Sequence, residues 1–430
     1  NLQLTLSGKN QQPVLQGLWD NGGTLTNLWF GRVPGVGGDS GAGGQFQSVL
    51  RNIQWGDLGG SALLQQLNDA AGEGLSVGLT VYGYDASTTD PNFRTGKIVG
   101  TIGPQLAGEP LHLPPRLLSP AQNSPLSYAG AKVNAAGTTV TVDLGNSIPD
   151  VLPGGPMLAL GPMTLVVSDP NPTALGTVDY LDPSFQQTAG VVQFPITAEQ
   201  AGNPLGVSIG PPSNIVLQES PNGVYIDIDG YSLYMNSGQE ASVNVWAFTF
   251  GAPTPGVQVP LTYQNPNSAA GSGPFNNTPL NALRFPASVT TGNDGWAPIP
   301  LQAGDPGPAA RPNIGGQLYF LGGGWSTSYA ASVGSAPLSV KLFSSVLAAG
   351  DQPKWADVQP ILYRFYYMYG YMASIVDLSN YDDVKANAQP IKQVLSLDFN
   401  DAGYMPVSRE MANAERDLIL QWINAGCPAG

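Results

Sequence analysis

Residues Ala241 to Asn265 read ASVNVWAFTFGAPTPGVQVPLTYQN, an alternating strand, a glycine-proline turn and a second alternating strand. Alternation with period two puts every second side chain on one face of a sheet. The turn runs Gly251-Ala252-Pro253-Thr254-Pro255-Gly256. Downstream, TTGNDGWAPIPLQ (Thr290 to Gln302) supplies an Asn-Asp-Gly turn and another alternating strand. Two turns framing strands of this kind predict one sandwich over residues 239–349.

The same rhythm extends toward the N-terminus. NLQLTL opens the chain, and Gly74–Ser87, Thr95–Pro104, Thr138–Asp150 and Gly161–Asp169 are rich in Val, Ile, Thr and Tyr and bounded by turn residues. With 55 Gly and 39 Pro, short strands are favoured over long helices. Residues 1–235 are therefore expected to form one or more β-rich domains, as a sandwich or barrel. The glycine-rich stretch Gly31–Gly44 has no Lys-Ser/Thr after it, so it reads as a loop and not as a phosphate cradle. The Gly-Xaa-Pro-Xaa-Xaa-Gly-Val turn at Gly251–Val257, followed by the Asp-Gly turn, resembles bacterial immunoglobulin-like modules.

From Trp355 the period changes to three and four. Val358, Leu362, Phe365, Tyr366 and Tyr369 form one stripe, and YDDVKANAQPIKQVLSLDF gives a short helix broken at Pro390. In the last helix Leu418, Ile419, Trp422 and Ile423 share a face, with Asn413 expected as N-cap and Gly426 as stop. The fold class expected is mainly β with a small α-helical C-terminal domain over residues 355–430, a helical bundle.

Charge narrows the function. Thirty acids against 16 bases give a net charge of −14, and no basic run exists, which argues against nucleic acid or an anionic membrane as partner. No apolar run is long enough for a membrane helix. A surface built from Asn, Gln, Ser, Thr and Gly, and a chain beginning at Asn1, point to a secreted, periplasmic or cell-surface protein.

His112 and Cys427 each stand alone, which removes histidine-rich metal sites and catalytic arrangements that need a second imidazole. His112 reads as a hydrogen-bonded loop residue and Cys427 as an inert thiol. Asp227 and Asp229 alternate along YIDIDG and read as a solvated strand edge, and Asn276 heads a short Asn-Asn-Thr acceptor pattern.

Before the last helix lies a compact box, Tyr404-Met405-Pro406-Val407-Ser408-Arg409. Pro406 fixes the backbone, Met405 fills apolar gaps, and Arg409 can bind an acidic partner or a carbonyl end. With DVQPIL (Asp357–Leu362) and LILQWINAG (Leu418–Gly426), the segment resembles a cytochrome c-like domain. YRFYYMYGYM stands where haem-attachment cysteines and the proximal histidine would be, so the expected form is haem-less. The candidate interaction residues are Tyr404, Met405, Arg409, Trp422, Tyr366 and Tyr369.

Four segments together, GLSVGLTVYGYDASTTDPNFRTGKIVGTIGPQLAGEPLHLPPRLL, VTVDLGNSIPD, TALGTVDYLDPSFQQTAGVVQFPI and DAGYMPVSREMANAERDLILQWI, resemble the N-terminal half of the iminophenylpyruvate dimer synthase-like family. Members act in violacein and indolocarbazole biosynthesis, and the resemblance implies haem or iron association. They also carry a histidine- and glutamate-rich ferritin-like half, which does not follow Gly430 here. The function expected is thus a non-catalytic exported binding or assembly scaffold with a protein partner or self-assembly, and no cofactor of its own. Two alternatives stand beside it, a subunit of an oxidative enzyme whose metal-bearing partner is a separate chain, and a self-assembling surface or filament protein.

Overall fold

Alternating apolar residues at the start of the chain commit it to a twisted antiparallel sheet. The computed structural model describes residues 3–7, 11–20, 26–32, 39–72, 74–82, 89, 91, 96–105, 109–145, 147–149, 151, 156–168, 171–264, 279–307, 316–323, 325, 337–344, 352–399, 401 and 403–430. The first sheet contains β1 (Gln3–Ser7), β2 (Pro13–Trp19), β3 (Thr26–Arg32), β4 (Asp39–Trp55), β5 (Leu75–Tyr82) and β6 (Lys97–Pro104), ordered β1-β2-β4-β5-β6 with β3 paired to β4. Leu15, Leu50, Leu75 and Val77 project from one face into a core closed by Ala71 and by Leu67 of helix α1 (Ala62–Ala70). Period two then leaves Gln45, Gln47, Ser76, Gly78 and Thr101 on the other face. Parts of the glycine-rich stretch expected as loop are strand, Gly31–Arg32 in β3 and Asp39–Gly44 in β4, because the two strands pair. Residues 33–38 and the Asn276 pattern lie outside the described residues.

A second sheet of eight strands follows: β7 (Arg116–Pro120), β8 (Ala129–Val133), β9 (Thr139–Asp143), β10 (Met163–Val167), β11 (Thr173–Val178), β12 (Val191–Pro195), β13 (Leu205–Ile209) and β14 (Ile215–Gln218). Its order is β11-β10-β13-β14-β7-β8-β9-β12, with short helices α2 (Pro183–Gln187) and α3 (Ala198–Ala201) beside β12. The inward residues, among them Leu118, Val140, Val142, Leu165, Leu205 and Leu217, share one core. The sheet curls until its outer strands meet. Gly176 on β11 lies against Phe194 on β12, and a Cβ at 176 would come within 2.3 Å of the ring. Side-chain packing closes this barrel where no ladder among the described residues does.

The stretch around Ala241–Asn265 lies in an immunoglobulin-like sandwich. One sheet runs β15 (Val224–Ile228), β17 (Glu240–Thr249), β23 (Trp296–Ala303) and β21 (Leu283–Arg284), with β18 (Ala252–Pro253) on β17. The other runs β16 (Ser232–Asn236), β25 (Leu338–Phe343), β24 (Gln317–Gly322) and β20 (Thr262–Tyr263), while β19 (Gln258–Pro260) and β22 (Ser288–Thr290) pair as a ribbon. Val243, Val245, Ile299 and Leu301 face Met235, Leu321, Val340 and Leu342 across one core. β15 and β16 precede residue 239, so this core starts ahead of the expected start. β16 pairs parallel with β25, which divides the entering segment between the two sheets. The two turn signals touch: a Cβ on Gly295 would lie 2.7 Å from the Pro253 Cβ.

β23 alternates exposed and buried over its whole length. Pro298 and Pro300 pair with Asn244 and Ser242 of β17, whereas β21 reaches only Gln302 and Ala303. Two residues without N–H thus stand where that edge has no ladder neighbour among the described residues, which blunts it against strand addition.

From Trp355 onward the chain is helical: α4 (Trp355–Met368), α5 (Tyr381–Ala386), α6 (Ala388–Leu395) and α7 (Asn413–Asn424), with a tight 3-10 turn at Gly370–Ser374. The chain breaks between α5 and α6 at Asn387, whose backbone N–H bonds Asp383 O, and not at Pro390. Pro390 sits in the first turn of α6, where a missing N–H leaves no helical bond unmade. The buried stripe of α4 is Val358, Ile361, Leu362 and Phe365, so Ile361 takes the place expected for Tyr366.

Candidate functional site

Trp422 of α7 has no exposed surface. Its ring lies 5.6 Å from Trp355 and 6.4 Å from Tyr381, and its indole N–H donates to Pro428 O at 2.9 Å. Trp355 N donates to the same carbonyl at 3.1 Å, and Tyr381 OH donates to Cys427 O at 2.8 Å. The chain reaches this position through the stop expected at Gly426. With φ +84°, Gly426 N bonds Ile423 O and Cys427 N bonds Trp422 O, a Schellman ending that turns the tail back over the indole. Cys427 is buried, and burial raises its thiol above the ordinary value.

The N-terminus of α7 differs from expectation. Asn413 is its first helical residue, and Ala412 holds the cap position. The cap side chain comes from elsewhere: Asn236 Oδ1 of β16 accepts Asn413 N at 2.8 Å, and Glu415 Oε2 accepts Ala412 N at 3.1 Å. Buried Glu415 also holds Arg364 of α4 in a two-pronged pair at 2.8 and 2.6 Å. Lys341 of β25 approaches Glu410 at 3.8 Å. Burial lowers the Lys341 ammonium, opposed by Glu410. Tyr234 of β16 is raised by burial and then by the charge of Glu410. These groups fix the helices to the β16–β25 edge of the sandwich.

The box Tyr404–Arg409 folds on itself. Tyr404 is buried, and the Met405–Pro406 peptide is cis. The Arg409 guanidinium donates to Phe399 O at 3.0 Å, Val407 O at 2.8 Å and Asp401 O at 2.7 Å, and lies 5.2 Å from the Tyr404 ring. It therefore serves carbonyl ends within the chain. Tyr369 OH bonds Ser408, tying α4 to the box, and Tyr369 stacks on Phe365. Of the six expected interaction residues, Tyr404 and Trp422 belong to the core, and Met405, Arg409, Tyr366 and Tyr369 are half-buried.

The outward face of α4 is different. Tyr363, Tyr366 and Tyr367 form a mutually packed cluster with centroid distances of 4.8 to 6.0 Å. Tyr367, Tyr371 and Ile375 are 68%, 81% and 60% exposed, with Tyr363 and Met368 beside them also exposed. Tyr366 and Tyr369, expected on the apolar stripe, are half-buried; Tyr363 and Tyr367 face solvent because the helical period turns them away from Val358 and Leu362, and Tyr371 lies in the 3-10 turn beyond the helix.

Two buried sites escaped sequence reading. Arg116 of β7, 1% exposed, pairs with Glu219 at 2.7 and 2.5 Å and donates to Ala201 O and Asn203 O at 2.9 and 2.8 Å. Glu219 Oε2 accepts Leu205 N at 2.7 Å. The guanidinium lies 5.8 Å from the Phe250 ring, and a Cβ on Gly251 would come 2.9 Å from Arg116 Cγ, so the pair links barrel to sandwich. Asp227 departs from the solvated edge expected: it is buried and accepts Tyr225 OH at 2.6 Å and Tyr231 OH. Asp229 holds Asn244 through N at 2.9 Å and Nδ2 at 2.8 Å.

The second site is a cleft of about 250 Å³ where the polar face of the first sheet meets β8 and β9. Lys132, Thr141 and Asp143 line one wall, Ser76 and Thr101 the other, and Glu109 and His112 come from the segment between. Lys132 pairs with Glu109. Burial raises the Asp143 carboxyl, although Gly145 N donates to it at 2.9 Å. His112 is buried, and its Nδ1 has no hydrogen-bond partner among the described residues. Burial lowers its pKa, with Asp229 and Asp20 opposing. No group of three or more His, Cys, Asp or Glu placed to hold a metal occurs among the described residues.

No family model matches the chain, and no curated protein matches it in sequence. Among solved structures it is similar to domains 4 and 5 of the S-layer protein SbsC, at 12% identity and a TM-score of 0.19, over 53% of this chain and 98% of that one. It is similar also to the D0-D1 domain of Intimin, at 12% identity and a TM-score of 0.19, over 49% and 92%. At a TM-score this low, neither the fold nor the role of those proteins carries over.

Proposed function

We propose that the chain is a non-catalytic, exported binding and assembly protein, in which β modules hold a helical unit that meets a protein partner or a second copy. The observation that carries this is the exposed tyrosine face of α4 and the turn after it, Tyr363, Tyr367, Met368, Tyr371 and Ile375. Aromatic side chains supply large contact area at low entropy cost, and grouped apolar exposure marks interaction surfaces. The support under that face is rigid: Arg364–Glu415 and Asn236–Asn413 tie α4 and α7 to each other and to the sandwich. The proline-blunted β23 edge directs association to the helices and away from that strand.

Sedimentation of the full chain across a concentration series tests self-association, and affinity capture with mass spectrometry identifies a partner. Tyr367→Ser with Tyr371→Ser should abolish association while leaving thermal unfolding unchanged. Association that survives the double substitution refutes the role of this face. The resemblance to iminophenylpyruvate dimer synthase-like proteins predicts, for the oxidative-subunit alternative, a partner that carries iron, which metal analysis of the captured complex decides.

A further inference from the structure

The tyrosine face of α4 is neutral as well as exposed, and that decides what covers it, granted its role as the association site. Gln359, Tyr363 and Tyr367 stand four residues apart on α4, and Tyr371 and Ile375 continue the spacing through the 3-10 turn, all five exposed. Residues four apart on a helix form one ridge. From Gln359 to Ile375 the sequence has a single charged side chain, Arg364, and Glu415 already holds it. A partner that recognises charge finds no counter-charge on this ridge.

Grouped phenols, by contrast, are complementary to themselves. A phenol OH both donates and accepts, and Tyr363 and Tyr367 already make the contact within one chain, with oxygens 2.9 Å apart and rings edge to face at 86°. The ridge is also symmetric about Tyr367, with Tyr363 and Tyr371 four residues to either side. A two-fold axis near Tyr367 brings Tyr363 of one copy to Tyr371 of the other, the reciprocal pairing that an isologous interface requires. The exposed fractions of Tyr363, Tyr367 and Tyr371 together equal nearly two whole tyrosines, about 400 Å² at about 200 Å² each. Met368 and Ile375 add about one further side chain, so two copies together bury about 1,000 Å², enough for a reversible dimer. We infer that the occupant of this face is a second copy of the chain, packed through α4 and the turn after it about a two-fold axis. Each copy carries a net charge of −14, so repulsion elsewhere opposes the contact and salt strengthens it.

Sedimentation velocity of the full chain from about 1 to about 300 μM spans the Kd of a reversible interface of this size. The weight-average mass should rise toward twice that of one chain. It should do so at several-fold lower concentration in about 150 mM salt than in about 10 mM, as the screening length shrinks from about 30 to about 8 Å. Tyr367→Lys and Tyr367→Glu should each stay monomeric with unchanged unfolding temperature, and their equimolar mixture should recover the dimer; Tyr363→Lys mixed with Tyr371→Glu should do the same. A wild-type dimer that neither mixture restores overturns the two-fold pairing, and one that salt weakens overturns the neutral contact. Wild type that stays monomeric throughout, or that sediments with phosphatidylcholine vesicles instead, overturns the inference. Where such a monomer loses a captured protein on Tyr367→Ser with Tyr371→Ser, the face remains an association site with another occupant. Self-association undiminished in that double variant removes the face and the inference together.

Discussion

Trp422→Ala removes the residue around which the helical unit is arranged. The indole has no exposed surface and packs on Trp355 at 5.6 Å and Tyr381 at 6.4 Å. Truncating a buried Trp costs about 3–5 kcal/mol, a transfer loss plus a cavity loss. The indole hydrogen bond adds little to this, because Pro428 O keeps its bond from Trp355 N at 3.1 Å. For a unit of this size each kcal/mol moves the midpoint by about 4–8 °C, so the helical transition should fall by more than about 12 °C. Scanning calorimetry is the assay, because it does not depend on tryptophan fluorescence. Trp422→Phe keeps an aromatic ring against Trp355 and Tyr381 and loses the N–H, and should fall between wild type and alanine. An alanine variant whose calorimetric profile matches wild type would refute the placement of Trp422 in the core.

Three further outcomes concern polar groups with partners far along the chain or in the cleft. Arg116→Met leaves Glu219 buried with Leu205 N as its remaining neutral donor, and should cost about 3–5 kcal/mol by urea unfolding; a loss under about 1 kcal/mol would show the pair to be solvated. Asn236→Ala removes the cap of α7 from a distance of 177 residues and should cost about 0.5–2 kcal/mol, with the helical transition moving more than the β transitions. Asp143→Asn keeps the acceptor for Gly145 N and removes a carboxyl whose folded pKa burial has raised. The unfolded chain ionises first as pH rises, so wild type loses stability from the unfolded value near 3.8 up through the folded pKa. The variant should thus be more stable at neutral pH and equal to wild type at pH below about 3, and equality at both pH values in thermal scans counts against the assignment.

Much of this was legible along the chain. Alternation at Ala241–Asn265 and Thr290–Gln302 gave the sandwich strands, since a strand with one buried face must write period two into its sequence. Leu418, Ile419, Trp422 and Ile423 gave the buried face of α7, and Gly426 its end, for the same reason with period 3.6. Tyr366 read as part of the buried stripe, but a single helix has two sides, and only packing against α7 decides which is covered. The Asn413 cap was misread because the cap position takes whatever acceptor reaches it, and here Asn236 arrives from another module.

The sequence by itself determined the fold class, the change from strands to helices near Trp355, and the absence of a histidine set for a metal. These depend on period and composition, which are local properties. Only the tertiary structure decided that Arg116 meets Glu219 across 103 residues, that Arg364 meets Glu415 across 51, and that Lys132, Thr141, Asp143 and His112 line one cleft with Ser76 and Thr101. Such pairings carry no periodic mark, because a buried ion pair or an unpaired nitrogen is defined by what the rest of the fold brings to it.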